Sequence, residues 1–225
     1  MILAPGVVQV PTTRRDNAFL VEGEDGYTLV DVGWKGSVAV LREALPRLGD
    51  IKRIVITHAH PDHVRGLAAF RAATGATVLI HGLDAPWLAA GRVPREGRSG
   101  AFGRAIDKLP LLQWTPVEAD VLLAGDEVID GLRVIHTPGH SPGHIVLFHE
   151  ATHTLLTGDA IVHRGGAVKA GPDALAQDPA LRDASLSRIP LDARQIGFAH
   201  GEALTGAAAD EFHTRLTALS TPRPR

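Results

Sequence analysis

The 225-residue sequence contains no cysteine. That absence excludes disulfide frameworks, thiolate zinc fingers, iron–sulfur clusters and cysteine nucleophiles. No run of Lys or Arg stands out either. The formal net charge is −2 and the pI is near 6.6, so the chain lacks the basic stripe that displaces counterions from a phosphate backbone, and no nucleic-acid partner is expected. Apolar runs are short, and none approaches the ~20 residues that span a bilayer, so no membrane association is expected. The first ten residues carry Pro5 and Gly6, and no charge precedes Arg14, which is unlike a signal peptide. A cytoplasmic protein is the expectation. The balance of 44% hydrophobic and 21% charged residues is that of an ordinary globular protein and excludes disorder, collagen and a coiled-coil rod. A chain this long buries roughly 70% of its unfolded surface and needs no covalent staple; one domain over residues 1–225 fits it. Against these shortages stand twelve histidines, which direct attention to metal ligation.

The chain alternates short β-branched runs with helical periodicities. Strands are expected at Val7–Val10, Ala18–Glu22 and Tyr27–Val32, separated by Pro11 and by the Glu24-Asp25-Gly26 turn. Val38, Leu41, Leu45 and Leu48 fall at helical spacing within Gly36–Leu48, with Gly49 as a stop. An apolar strand at Arg53–Thr57, a helix at Val64–Ala73 and a strand at Thr77–His81 follow. Gly91–Gly103 holds four glycines, Pro94 and the arginines Arg92, Arg95 and Arg98, the composition of a mobile loop and a candidate lid. Further strands are expected at Arg133–Thr137, Ile145–Phe148, Thr154–Thr157 and Gln195–Ala199, and helices at Asp178–Arg188 and Thr205–Leu219. Strands and helices in two successive halves imply two mixed sheets packed face to face with helices outside.

The most informative stretch is Thr57-His58-Ala59-His60-Pro61-Asp62-His63. It follows an apolar strand and leads into a helix, with Pro61 suited to the first helical turn. In extended backbone His58 and His60 share a side, and Asp62 and His63 follow where the chain turns. Imidazole and carboxylate are the ligands that zinc and similar metals take when no thiol is present. A polar loop that merely capped a helix would not concentrate four such groups in six residues. Three later strand ends present the same chemistry. These are the turn Pro138-Gly139-His140-Ser141-Pro142-Gly143-His144, the strand end Thr157-Gly158-Asp159, and Phe198-Ala199-His200-Gly201. Each alone is weak; together they are a strong signal.

This order, His-x-His-x-Asp-His, then a Gly-His turn, then Gly-Asp, then a late His-Gly, resembles the metallo-β-lactamase superfamily of hydrolases, from Leu29 to Gly201. The segment Leu29-Val30-Asp31-Val32-Gly33 is similar to the family's first motif, whose Asp supports the metal site from behind. The resemblance implies a single-domain α/β, four-layer αββα sandwich with its site along one edge. It implies two divalent ions, zinc in the first instance and iron or manganese as alternatives. His58, His60 and His140 would hold one ion, Asp62, His63 and His200 the other. Asp159 would bridge them, and Asp62 and Asp159 would serve the reaction with an activated water held between the ions.

Other residues carry lesser expectations. Asp31 is a candidate to orient a ligand from behind. His144 is read as structural with a hydrogen bond near the site, His163 as a candidate substrate contact, and Trp34 as a candidate pocket wall. His81, His136, His149, His153 and His213 are read as surface or strand-packing residues. Among the branches of the family, true β-lactamases tend to carry Cys or Ser where Asp159 stands, which leaves β-lactam hydrolysis as a side activity. Glyoxalase II is similar in its metal residues but carries a helical C-terminal domain, whereas twenty-four residues follow Gly201 here. Lactonases commonly use a tyrosine near the metals, and the only tyrosine is Tyr27. The expectation is a hydrolase of a small ester, thioester or lactone. A mononuclear iron, persulfide dioxygenase-like oxidoreductase and a metal-holding module without turnover are the alternatives. A homodimer is left open.

Overall fold

The structure, a computed structural model, describes residues 1–45 and 47–220. In chain order the strands and helices are β1 (Ile2–Ala4), β2 (Val7–Pro11), β3 (Asn17–Glu22), β4 (Tyr27–Val30), α1 (Ser37–Ala44), β5 (Ile51–Ile56), α2 (Pro61–Val64), α3 (Leu67–Thr74), β6 (Thr77–His81), α4 (Ala85–Ala90), α5 (Ala101–Ile106), β7 (Val121–Leu123), β8 (Val128–Ile129), β9 (Leu132–His136), β10 (Ile145–His149), β11 (Thr154–Leu156), β12 (Ile161–Arg164), β13 (Ala167–Ala170), α6 (Pro179–Ser185), β14 (Gln195–Gly197), β15 (Leu204–Thr205) and α7 (Ala207–Ser220). One sheet runs in sequence order from β1 to β7, and the other in the order β15-β14-β11-β10-β9-β8. The hairpin β12–β13 stands apart as a third small sheet.

Alternation along the strands sorts the apolar residues into three layers. On β5, Ile54 and Ile56 face an outer cluster with Leu41 of α1 and Leu67 and Phe70 of α3. Val55 between them faces the inter-sheet core with Phe19, Val21, Val30, Leu147 and Leu156. On β10, Ile145 and Leu147 join that inner core, while Val146 and Phe148 face α7 through Phe212 and Leu216. Helix, sheet, sheet, helix is the four-layer αββα sandwich expected.

Several boundaries differ from expectation for local reasons. Helix α1 stops at Ala44 rather than Leu48 because Leu45 precedes a proline, a position that disfavours helix, and is extended at φ −89° and ψ 140°. Pro46, within that expected helix, lies outside the described residues. The helix expected at Val64–Ala73 is two pieces: the Gly66 N–H donates to the Gly33 carbonyl at 2.9 Å rather than continuing the helical ladder. Gly91–Gly103 is not the free loop expected. It contains a short 3₁₀ turn and the start of α5, and Arg98 is buried. Its guanidinium pairs with Asp107 at 2.8 and 3.1 Å and donates to the Leu175 carbonyl. Ser99 N–H adds a bond to the Ala176 carbonyl at 2.8 Å. No helix among the described residues is long and apolar enough to cross a membrane.

Candidate metal centre

Every chemistry-bearing strand end predicted from the sequence opens onto one edge of the sandwich. The segment after β5 brings His58, His60, Asp62 and His63. The β9–β10 connection brings His140, the end of β11 brings Asp159, and the end of β14 brings His200. Two groups form: His58, His60 and His140, and Asp62, His63, Asp159 and His200, the ligand-capable atoms of each lying within 4.8 Å of one another. Asp159 faces both groups. Its Oδ2 is 3.4 Å from His140 Nε2, while its Oδ1 is 3.0 Å from His200 Nε2 and 3.4 Å from His63 Nε2. Asp62 Oδ2 lies 3.4 Å from His200 Nε2.

The two groups differ electrostatically. Burial and its histidine neighbours push His58 well below the usual imidazole range, burial and the Arg98 guanidinium do the same for His60, and burial takes His140 down to about 3. These rings are neutral, with lone pairs available to a cation. In the second group burial opposes charge, yet ion pairing prevails. His200 and His63 hold Asp159 well below the carboxylate range. Asp31 and Asp159 hold His63, and Asp159 holds His200, well above theirs. Buried polar atoms are normally hydrogen-bonded, but His58 Nε2 and His60 Nε2 have no hydrogen-bond partner, and Asp159 Oδ1 meets only the imidazoles of His200 and His63. Unpartnered imidazole atoms and buried carboxylates converging in this way fit metal binding.

Groups behind these atoms fix their aim. Asp31 adopts a left-handed backbone at φ +58°, a strained conformation that persists only where surroundings over-determine it. Its carboxylate accepts from Thr57 N–H at 2.9 Å and Thr57 Oγ1 at 2.8 Å, and lies 2.8 Å from His63 Nδ1. It is placed as expected, behind a ligand candidate. Asp159 N–H donates to His144 Nε2 at 2.9 Å, so the proton of His144 sits on Nδ1 and points at Thr137 Oγ1, 2.9 Å away. His144 thus holds the backbone of Asp159 and stays outside both groups. Gly158 makes that approach possible: its φ is +49°, and a Cβ there would lie 2.6 Å from His144 Nε2.

Trp34 is not a bare pocket wall. Its Nε1 donates to Asp16 Oδ2 at 3.0 Å, and Asp16 Oδ1 lies 2.8 Å from His200 Nδ1. His163 stands off the clusters, with Nδ1 2.8 Å from the Glu202 carbonyl. Of the remaining histidines, His81 and His149 are buried, His81 stacks on His136 and His153 pairs with Asp192, as strand-packing and surface residues do.

Sequence reasoning missed Asp16, Asp84 and Trp87, and placed Arg98 in a mobile loop although it is buried. Asp16 sits in a Thr-Thr-Arg-Arg-Asp-Asn loop that carries no signal. Asp84, before Ala85-Pro86, reads as a helix cap, but its side chain caps nothing. It accepts instead from Ala59 N–H at 2.9 Å, Gly143 N–H at 2.6 Å and Ser141 Oγ at 2.6 Å. It therefore clamps the loop of His58 and His60 to the loop of His140. Arg98 Nη1 approaches His60 Nδ1 to 3.4 Å, and Trp87 stacks on the same ring at 6.1 Å between centroids.

Known proteins resemble this chain to different degrees. A hydroxyacylglutathione hydrolase of Cereibacter sphaeroides (strain ATCC 17029 / ATH 2.4.9) is 32% identical over 161 residues, covering 71% of this chain and 53% of its own. The chain spans about one half to two thirds of the length of the curated relatives it matches first, at 66%, 60% and 53%. Among solved structures, TTHA1623 in a di-iron-bound form is 29% identical with a TM-score of 0.63, covering 88% of this chain and 93% of its own. BJP-1, a subclass B3 metallo-β-lactamase of Bradyrhizobium japonicum, superposes over 98% of this chain and 90% of its own with a TM-score of 0.71. At 21% identity that likeness is one of fold. The profile of the metallo-β-lactamase superfamily matches residues 11–200, a span that contains all seven converging side chains, and the chain belongs to that superfamily of metallo-hydrolases.

Proposed function

We propose that the protein is a dinuclear, zinc-dependent hydrolase that cleaves an ester, thioester or lactone bond in a small molecule. The observation that carries this reading is Asp159, whose two carboxylate oxygens face the two ligand groups separately. His58, His60 and His140 would hold one ion and Asp62, His63 and His200 the other, with Asp159 between them. When bound, two such cations supply Lewis acidity: they lower the pKa of water and polarise an acyl carbonyl. The chain's own residues do the aiming. Asp31 holds His63, and Asp16 holds His200, through Nδ1, so that Nε2 of each faces the site. Asp84 keeps the first ligand group together. Asp62 has the most open side chain in the second group, at 26% exposed against 2–6% for His63, Asp159 and His200, so substrate approaches past it. The neutral imidazoles of the first group and the carboxylates of Asp62 and Asp159 in the second are the donors that divalent cations take.

The hydroxyacylglutathione hydrolase relative supports an acyl substrate, and the di-iron form of TTHA1623 keeps iron open as the metal. Elemental analysis of the purified protein, followed by assays on a small thioester, lactone, ester and phosphodiester panel, tests the proposal. Two metals per chain with acyl hydrolysis is the expected result. One iron with oxygen consumption and no hydrolysis would replace it with an oxidoreductase. Two metals with no turnover would leave a metal-holding module.

A further inference from the structure

A cavity of about 510 Å³ opens beside the second ligand group, lined by Arg14, Arg15, His163, Arg164, Gly201 and Glu202 among others. Gly201 follows His200 directly. Its carbonyl accepts from Asn17 Nδ2 at 2.8 Å, and its N–H donates to the Arg15 carbonyl at 3.2 Å. His163 N–H donates to the His200 carbonyl at 3.0 Å. Both arginine-bearing segments, the β2–β3 loop and the tip of β12, are thus tied by backbone hydrogen bonds to the residue pair that ends at the candidate ligand. Closeness is enforced by Gly201 itself: its φ is +117°, and a Cβ there would collide with the His163 carbonyl.

The charges in this cavity are unbalanced. Arg14, Arg15 and Arg164 are exposed, and none of their guanidinium groups meets a carboxylate among the described residues. Glu202 is the one acidic side chain on the wall. Asp16, next to Arg15, is already engaged by Thr13, Trp34 and His200. By contrast Arg98, the most buried arginine of the segment first read as a lid, is neutralised by Asp107 and donates to Leu175. Arg98, the arginine of that segment that reaches a candidate ligand, therefore carries no unpaired charge, whereas the arginines beside Gly201 do. Guanidinium groups bind planar and tetrahedral oxyanions through paired N–H donors, and a cavity of this size takes a small-molecule fragment.

We infer that Arg14, Arg15 and Arg164 form a subsite for an anionic oxygen group, a carboxylate or a phosphoryl group, on the substrate's tail, which docks it with its acyl bond beside His200. This inference rests on the hydrolase reading and narrows its substrate to anionic acyl compounds. Gly201, on the cavity wall, follows the candidate ligand His200 directly, and the chain length of the substrate sets whether its two ends reach subsite and metals together.

The test uses metal-loaded protein and mono-S-ethyl thioesters of dicarboxylic acids from succinic to suberic. Each is paired with an uncharged carboxamide-tailed and a phosphonate-tailed counterpart. The readout is the ratio of kcat/KM for anionic over uncharged tails in the wild type and in an Arg14→Gln/Arg15→Gln/Arg164→Gln variant. We expect a ratio on the order of tenfold or more at one chain length in the wild type, falling towards one in the variant and shrinking with added salt. The stronger of the carboxylate and phosphonate arms names the group. A wild-type ratio near one, or the same ratio in the variant, overturns the subsite. A triple variant that loses turnover of the uncharged substrate as well is misfolded, and the same ratio is then read in Arg15→Gln and Arg164→Gln singly. If no thioester is turned over, the hydrolase reading is decided separately by the ester and lactone assays, and calorimetry with adipate decides the subsite. Binding weakened about tenfold in the variant sustains it, and equal binding overturns it.

Discussion

Asp84→Ala tests whether the first ligand group is held together by one buried carboxylate. The side chain accepts three buried donors: Ala59 N–H, Gly143 N–H and Ser141 Oγ. Orphaning a buried donor costs about 1–3 kcal/mol, so three cost roughly 4–6 kcal/mol after partial relaxation. Working against this is the carboxylate's own burial, which raises its pKa from 3.8 to about 6. At ~1.4 kcal/mol per pH unit that rise corresponds to about 3 kcal/mol. The sign follows from proton uptake: between those two values the folded chain binds more protons at Asp84 than the unfolded chain does. The stability it contributes is thus fully present below about pH 4 and is reduced as pH rises through about 6. Urea titration of the metal-free protein should therefore show the variant less stable than wild type by roughly 1–3 kcal/mol at neutral pH, and by about 3 kcal/mol more near pH 4. Comparing the two proteins at each pH cancels the other carboxylates. Metal competition against a chelator should show the site of His58, His60 and His140 weakened about 10–100-fold, with the site of Asp62, His63 and His200 much less affected. A stability gap that widens with rising pH, or equal weakening of both sites, would refute the reasoning.

Asp159→Ala should weaken both metal sites and reduce hydrolysis by about 10²-fold or more. His200→Ala should weaken one site with a smaller loss of rate. Metal titration beside kinetics checks this, and two tight metals with near-normal turnover in Asp159→Ala would sink the bridge. Arg98→Ala leaves the Asp107 carboxylate buried without its partner, their side chains being 4% and 8% exposed, and should cost about 3–5 kcal/mol in urea unfolding. A loss below about 1 kcal/mol would mean that the segment is peripheral. Gly158→Ala adds a Cβ 2.6 Å from His144 Nε2 at a left-handed φ and should destabilise by roughly 1–3 kcal/mol. Thermal unfolding, with metal content as the companion readout, checks that value.

What the sequence by itself determined is the local part of the design. The cluster His58, His60, Asp62 and His63 is legible because a strand, a turn and Pro61 specify where those side chains leave the sheet. His140, Asp159 and His200 are legible for the same reason, each standing at a strand end beside glycine. The two-sheet sandwich follows from period-2 strands interleaved with helical periodicities, and Ile54, Val55 and Ile56 divide between two cores as alternation requires. Elements without such periodicity were not legible. The hairpin β12–β13 is one, and α4 with its Pro86 is another. Only the tertiary structure decided which polar groups stand behind the ligands. Asp16 reaches His200 across 184 residues and Asp84 reaches Gly143 across 59, and no local pattern encodes contacts at such separations. The same holds for Arg98. Its neighbours Gly97 and Gly100 read as a free loop, yet burial against Asp107 and Leu175 makes it part of the frame. The charge left over, on Arg14, Arg15 and Arg164, becomes a feature only when packing brings the β2–β3 loop and β12 to the same glycine. Hydrophobic periodicity is a property of neighbouring residues, whereas the pairing of buried charge depends on which surfaces the folded layers bring together.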